Sequence, residues 1–226
     1  SACLVGSEMC IRDSGMGANP LIFEYLKFSE TFEVNYLSWF PPEKSETLQE
    51  YAKRMCKRVK HKKPILIGVS MGGVLVQEMA NYIDCEKIII VSSVKSNQEL
   101  PVHMKLAQVT NAHKLLPTQW IQNIESFALF VFGNELKKRF ELYERYLSER
   151  DPNYLSWAID KMVKWDRSEP KQDVIHIHGK NDTVFPIKNV RPPYIEVPGD
   201  HAIILTYHQW FNKNLPDIIL GNPTIS

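Results

Sequence analysis

What this sequence has little of narrows its class before any motif is read. It holds four cysteines, Cys3, Cys10, Cys56 and Cys85, without CxxC spacing and without the density of a disulfide scaffold. Free thiols in a reducing compartment are the expectation, with the cytoplasm as location. Long hydrophobic runs are missing: residues 88–91 and 127–132 are among the longest, far short of the roughly 20 residues of a membrane span. Neither sign of charge dominates, since 27 Lys and Arg face 26 Asp and Glu. That balance argues against a nucleic-acid partner, which calls for a basic excess or stripe. The chain shows no basic segment leading into an apolar signal stretch. No histidine or cysteine pairing has zinc spacing, and neither a metal nor another cofactor is expected.

What is there is a core. The 226 residues are 44% hydrophobic and 11% aromatic, which excludes disorder. A chain of this length buries about 70% of the surface its unfolded form exposes, so one domain folds without staples.

Residues 1–14 stand apart. The run Glu8-Met9-Cys10-Ile11-Arg12-Asp13-Ser14 matches the translation of AG-ATG-TGT-ATA-AGA-GAC-AG, the end of a common transposon-type sequencing adapter. These residues are therefore expected to be partly or wholly adapter read-through, with the natural domain running over 15–226.

From there strands alternate with helices. Residues 34–39 (VNYLSW) form a short β-prone run that ends at the turn Pro41-Pro42. In residues 45–60, Leu48, Tyr51, Ala52, Met55 and Val59 recur at helical spacing, and Thr47 with Glu50 has the form of a capping box. Residues 64–69 (PILIGV) and 87–93 (KIIIVSS) are continuous apolar runs, the mark of strands buried on both faces. A helix is expected over 72–82, further strands over 173–178 and 194–197, and a last helix over 203–214. Residues 96–170 break the rhythm with helical periodicity in 120–132, 136–147 and 154–165, and Pro152 suits the first turn of the third helix. The pattern predicts an α/β domain with a mostly parallel sheet of about six strands and a helical insertion.

The chemical signal is Gly68-Val69-Ser70-Met71-Gly72, set between a buried strand and an apolar helix. In that context a Gly-x-Ser-x-Gly run is a sharp turn that presents the serine hydroxyl at the sheet's C-terminal edge. Serine needs a base, and the base an orienting carboxylate, on later strand ends in the order Ser, acid, His. Gly179-Lys180-Asn181-Asp182 carries a carboxylate after one strand, and Pro198-Gly199-Asp200-His201 a histidine after the next. His178 stays open as an alternative base and Glu99 as an alternative acid. The oxyanion calls for two amides, Met71 after the nucleophile and Met16 in the loop Ser14-Gly15-Met16-Gly17. Asn19 and Pro20 then suit the start of a helix over 21–28.

On these residues the chain resembles the α/β-hydrolase superfamily, in particular its small bacterial serine hydrolases. SGMGANPLIFEYL resembles the oxyanion loop and helix, PILIGVSMGGVLVQEMA the nucleophile unit, and VIHIHGKNDTVFPI and EVPGDHAIIL the acid and histidine segments. The resemblance implies Ser70 as nucleophile, Asp182 as acid, His201 as base, Met16 and Met71 as oxyanion donors, and 96–170 as a lid. The family's central first strand falls on CLVGSEMCIRD, a poor strand by composition. A small carboxylic ester is the expected substrate, with thioester and lactone as variants of the same acyl transfer. Trp120, Phe127, Phe130, Phe132 and Trp157 of the insertion suit either an acyl pocket or packing on the body. The alternative is a ligand-binding or receptor-like protein of the same fold with slow or no turnover.

Overall fold

The structure is a computed structural model that describes residues 9–14, 20–28, 30, 32–111 and 151–221. Six parallel strands form one sheet in the order β2-β1-β3-β4-β5-β6. They are β1 (Met9–Ser14), β2 (Val34–Leu37), β3 (Ile65–Val69), β4 (Lys87–Val91), β5 (Val174–Gly179) and β6 (Ile195–Val197). Among the described residues the α-helices are α1 (Leu48–Cys56), α2 (Met71–Met79), α3 (Val102–Thr110), α4 (Pro152–Val163), α5 (Ile203–Thr206) and α6 (His208–Leu220).

The two-residue period of the strands divides the apolar runs between two cores. Leu66, Ile88 and Ile90 join α1, α2 and α4 on one face. Ile65, Ile67, Val69, Ile89, Val91, Ile177 and Val197 meet α5, α6 and the 3-10 turn Pro20–Phe23 on the other. Both faces are covered, which is why PILIGV and KIIIV are apolar without alternation.

Local signals in the sequence are realised at the helix starts. The Thr47 hydroxyl accepts from the Glu50 amide at 3.1 Å, and the Glu50 carboxylate accepts from the Thr47 amide at 2.9 Å. Pro152 opens α4, and the Asp151 carboxylate accepts from the Asn153 amide at 3.0 Å.

Met9–Ser14, a poor strand by composition, is a strand, and it lies in the interior of the sheet between β2 and β3. Ladder bonding from both neighbours outweighs its weak β-propensity, although its register with β3 shifts between Ile11 and Ser14. The helix expected over 21–28 is only the single 3-10 turn Pro20–Phe23. The last helix is broken at Tyr207 into α5 and α6.

The stretches 120–132 and 136–147 lie outside the described residues, as do Met16, Trp120, Phe127, Phe130 and Phe132. Trp157 packs rather than lines a pocket: its indole N–H donates to the Glu46 carbonyl at 2.8 Å and its ring lies 4.7 Å from that of Tyr51 on α1. No helix among the described residues is long and apolar enough to cross a membrane.

Candidate active site

Parallel strands end on one edge, so the loops after β3, β5 and β6 meet there. Ser70 joins β3 to α2 with φ 52° and ψ −123°, a conformation that a non-glycine residue holds only at a cost of about 1–3 kcal/mol. The neighbouring segment after β4 supplies what holds it. The Ser70 amide donates to the Val91 carbonyl at 2.9 Å, and the Ser70 carbonyl accepts from the Gly73 amide at 2.9 Å and the Ser93 hydroxyl at 2.6 Å.

Two glycines make that geometry possible. A Cβ on Gly68 would overlap the Gly72 carbonyl, and one on Gly73 would overlap the Ser93 hydroxyl and stand 2.6 Å from the Ser93 Cβ. The GxSxG pattern thus needs Gly68 for close approach of strand and helix. Gly73, one place beyond the pattern, and Ser93 are the residues that reading missed. The doubled glycine was their only visible sign.

The structure brings Ser70, Asp182 and His201 together. His201 Nε2 lies 3.0 Å from Ser70 Oγ, and His201 Nδ1 lies 2.8 Å from Asp182 Oδ2. A carboxylate only accepts, so Nδ1 carries the proton and Nε2 is free to accept from the serine hydroxyl. Asp182 and His201 are 4% and 5% exposed, which leaves this charge network little water to screen it. The other carboxylate oxygen, Oδ1, accepts from the amides of Val184 and Phe185 at 2.8 and 2.9 Å. The two loops are tied by the Asn181 amide, which donates to the Gly199 carbonyl at 2.7 Å.

Burial by itself pushes the Asp182 carboxyl up. The charge and hydrogen bond of His201, the adjacent His178 and the Phe185 amide outweigh it, and the carboxyl is held below the usual carboxylate range. Asp182 is the anion of the site.

The competing candidates find other partners. Glu99 accepts from the amides of Lys95 and Arg191 at 2.6 and 2.9 Å, fastening the segment after β4 to the β5–β6 connection. His178 Nε2 lies against the Phe185 carbonyl at 2.8 Å, not against the serine. Asp200 accepts from the Ala202 amide at 2.9 Å, and His208 Nδ1 donates to the Leu205 carbonyl at 2.8 Å. Met71 is the first residue of α2, directly after Ser70, so its amide belongs to the helix N-terminus beside the hydroxyl. A cavity of about 380 Å³, lined by Val174, Tyr194 and Ile195 among others, opens at the opposite edge, where β5 and β6 begin.

A parallel sheet with a serine at the β3–α2 turn and an acid and a histidine after β5 and β6 is the arrangement of the α/β-hydrolase fold, and the chain has that fold. Similar solved structures include a hydrolase from Pseudomonas aeruginosa PA01, with a TM-score of 0.70 at 16% identity, covering 98% of this chain and 92% of that one. An esterase from Exiguobacterium antarcticum matches with a TM-score of 0.69 at 16% identity, covering 96% and 93%. A lipase-esterase related protein from Clostridium acetobutylicum ATCC 824 matches with a TM-score of 0.64 at 18% identity, covering 94% of each chain. No family model matches the sequence, and no curated protein does.

Proposed function

We propose that the protein is a serine hydrolase that cleaves a small carboxylic ester, or a thioester or lactone by the same chemistry. The observation that carries this reading is the contact series from Ser70 Oγ through His201 to Asp182, at 3.0 and 2.8 Å, on a strained strand-to-helix turn. Esterases among the solved structures of this fold support it.

His201 Nε2 takes the Ser70 proton as Oγ attacks the carbonyl carbon. The oxygen that gains the electron pair is stabilised by the Met71 amide at the N-terminus of α2. His201 returns the proton to the departing alcohol, leaving an acyl group on Ser70. Water enters, His201 takes one of its protons, and attack on the acyl carbon releases the acid and restores the serine. Throughout, Asp182 keeps the imidazole in the Nδ1–H tautomer and stabilises the imidazolium.

The test pairs labelling with turnover. A fluorophosphonate is expected to label Ser70, with labelling lost in Ser70→Ala. Hydrolysis of p-nitrophenyl esters of increasing acyl length, set beside thioesters, is expected in the wild type and absent in Ser70→Ala. Labelling without turnover on any of these would favour the ligand-binding alternative, and turnover retained in Ser70→Ala would overturn the mechanism.

A further inference from the structure

Two buried histidines that the proposed reaction does not use stand behind Asp182. His176 and His178 share one face of β5 and are 1% and 0% exposed. Their rings are 4.9 Å apart at 85°, with His176 Nε2 3.0 Å from His178 Nδ1. His178 Nε2 in turn lies 2.8 Å from the Phe185 carbonyl oxygen and 3.6 Å from Asp182 Oδ2. A carbonyl oxygen only accepts, so His178 Nε2 carries a proton. In the neutral ring Nδ1 is then an acceptor, and His176 Nε2–H is its donor. The contacts fix one tautomer in each ring.

Those tautomers bear on the acid. Asp182 Oδ1 accepts from the Val184 and Phe185 amides, so the carboxylate closes a turn over residues 182–185. His178 grips the far end of the same turn by the Phe185 carbonyl. Oδ2 is left to His201. The charged and titratable groups facing His178 are Asp182 on its own loop, His201 after β6, Lys95 after β4, and His176. Burial first, then the charges of His201 and Lys95, holds the His178 ring uncharged against the pull of Asp182 and the Phe185 carbonyl. Burial, followed by His178 and Lys95, does the same to His176 more strongly. A charged His178 would place a competing cation 3.6 Å from the oxygen that His201 holds at 2.8 Å.

We propose that His178, fixed in its Nε2–H tautomer by the Phe185 carbonyl and supported at Nδ1 by His176, is a positioning residue that closes the Asp182–Phe185 turn and keeps Asp182 Oδ2 committed to His201. This rests on the reading of Ser70, His201 and Asp182 as the reacting unit.

Three variants test it. His178→Gln retains an N–H donor near the Nε2 position and carries no charge, His178→Phe removes the donor, and His176→Phe removes the hydrogen bond to His178 Nδ1. Turnover is measured per fluorophosphonate-labelled site, so that loss of folded protein is counted separately. Imidazole ¹⁵N and downfield ¹H NMR read the same hydrogen bonds without any substrate. In the wild type both rings are expected to show Nε2–H and to titrate below the ordinary histidine range. The downfield His201 Nδ1–H signal is expected to persist in His178→Gln and to broaden or vanish in His178→Phe. In His178→Phe, kcat per labelled site is expected to fall on the order of 10²-fold, with KM within about twofold and the acid limb of the pH profile displaced. His176→Phe is expected to fall less, and His178→Gln to recover most of the loss.

A fall in labelled sites with kcat and the acid limb unchanged would make His178 merely structural and overturn the proposal. So would an Nδ1–H tautomer at His178, or titration of His178 within or above the ordinary histidine range. Turnover that survives Ser70→Ala would instead overturn the hydrolase reading, and the NMR experiment would still judge the positioning.

Discussion

The Ser93 hydroxyl donates to the main-chain oxygen of Ser70 at 2.6 Å, through the gap that Gly73 leaves between α2 and the segment after β4. Packing and positioning therefore share one contact, and substitutions separate them. Gly73→Ala is expected to destabilise by about 1–3 kcal/mol, since its Cβ overlaps the Ser93 side chain. Adding Ser93→Gly removes the obstruction and is expected to recover most of that stability in urea unfolding. Turnover is not expected to recover with it, because the bond to the Ser70 carbonyl is gone. Gly68→Ala meets the Gly72 main chain rather than a side chain, so no second substitution is expected to rescue it. Recovery of kcat in Gly73→Ala/Ser93→Gly would deny Ser93 a part in holding the turn.

Asp182→Asn keeps the size of the side chain and removes its charge. The amide no longer demands a proton on His201 Nδ1, so Nε2 loses its fixed role as acceptor for Ser70. Turnover of the best ester is expected to fall by roughly 10³–10⁴, with fold and KM little changed. A loss below about tenfold would move the acid's role elsewhere, and Glu99→Gln would then be the comparison to make.

Stability is expected to fall with pH before any carboxylate of the site is protonated. His176 and His178 are held below the ordinary histidine range chiefly by burial, so the unfolded chain binds protons that the native state refuses. Their contribution is complete above about pH 6.5 and declines as pH drops below it. Each ring adds a slope of up to about 1.4 kcal/mol per pH unit. Asp182, whose carboxyl is held low, contributes stability that is present above about pH 4 and lost only at more acid pH. Urea midpoints between pH 6.5 and 5 are expected to fall in the wild type and to fall less steeply in His176→Gln. Equal slopes in the two proteins would mean that His176 is not buried uncharged.

How much of this was legible in the chain depends on how local the signal is. Ser70, Asp182 and His201 could be picked out because each sits just past an apolar strand, and a parallel sheet collects such positions at one edge. The Thr47–Glu50 box and the Pro152 start were legible for the same reason, being contained within four residues. β1 reads as a poor strand because an interior strand is held by ladders on both sides, and composition does not report its neighbours. Tyr207 showed no breaker in the sequence, yet its backbone, at φ −118° and ψ 29°, divides α5 from α6. Ser93 acts on a residue that the fold brings to it from a distance no motif spans, and His178, though close in sequence to Asp182 and Phe185, owes its burial and its partner His176 to the sheet.

Glu78 offers a stability test far from the serine. Its Oε1 accepts from Trp165 Nε1 at 3.0 Å and from Arg167 Nε and Nη2 at 3.2 and 2.8 Å, tying α2 to the chain beyond α4. Glu78→Leu strands a buried indole N–H and a mostly buried guanidinium, at an expected cost of about 3 kcal/mol. Arg167→Leu leaves the carboxylate with only the neutral donors Trp165 Nε1 and Asn81 Nδ2 and is expected to cost a similar amount. The double variant is expected to cost clearly less than the two together, since neither charge is left behind. Additive costs in urea unfolding would show that the pair is not coupled.

The backbone of β1 pairs with β2 on one side and β3 on the other, so Met9–Ser14 is an interior strand of the sheet. The coding DNA tests the origin of the same residues. If residues 1–14 are adapter read-through, the codons of Met9 to Asp13 read ATG-TGT-ATA-AGA-GAC. Synonymous codons at those positions would return the segment to the natural protein.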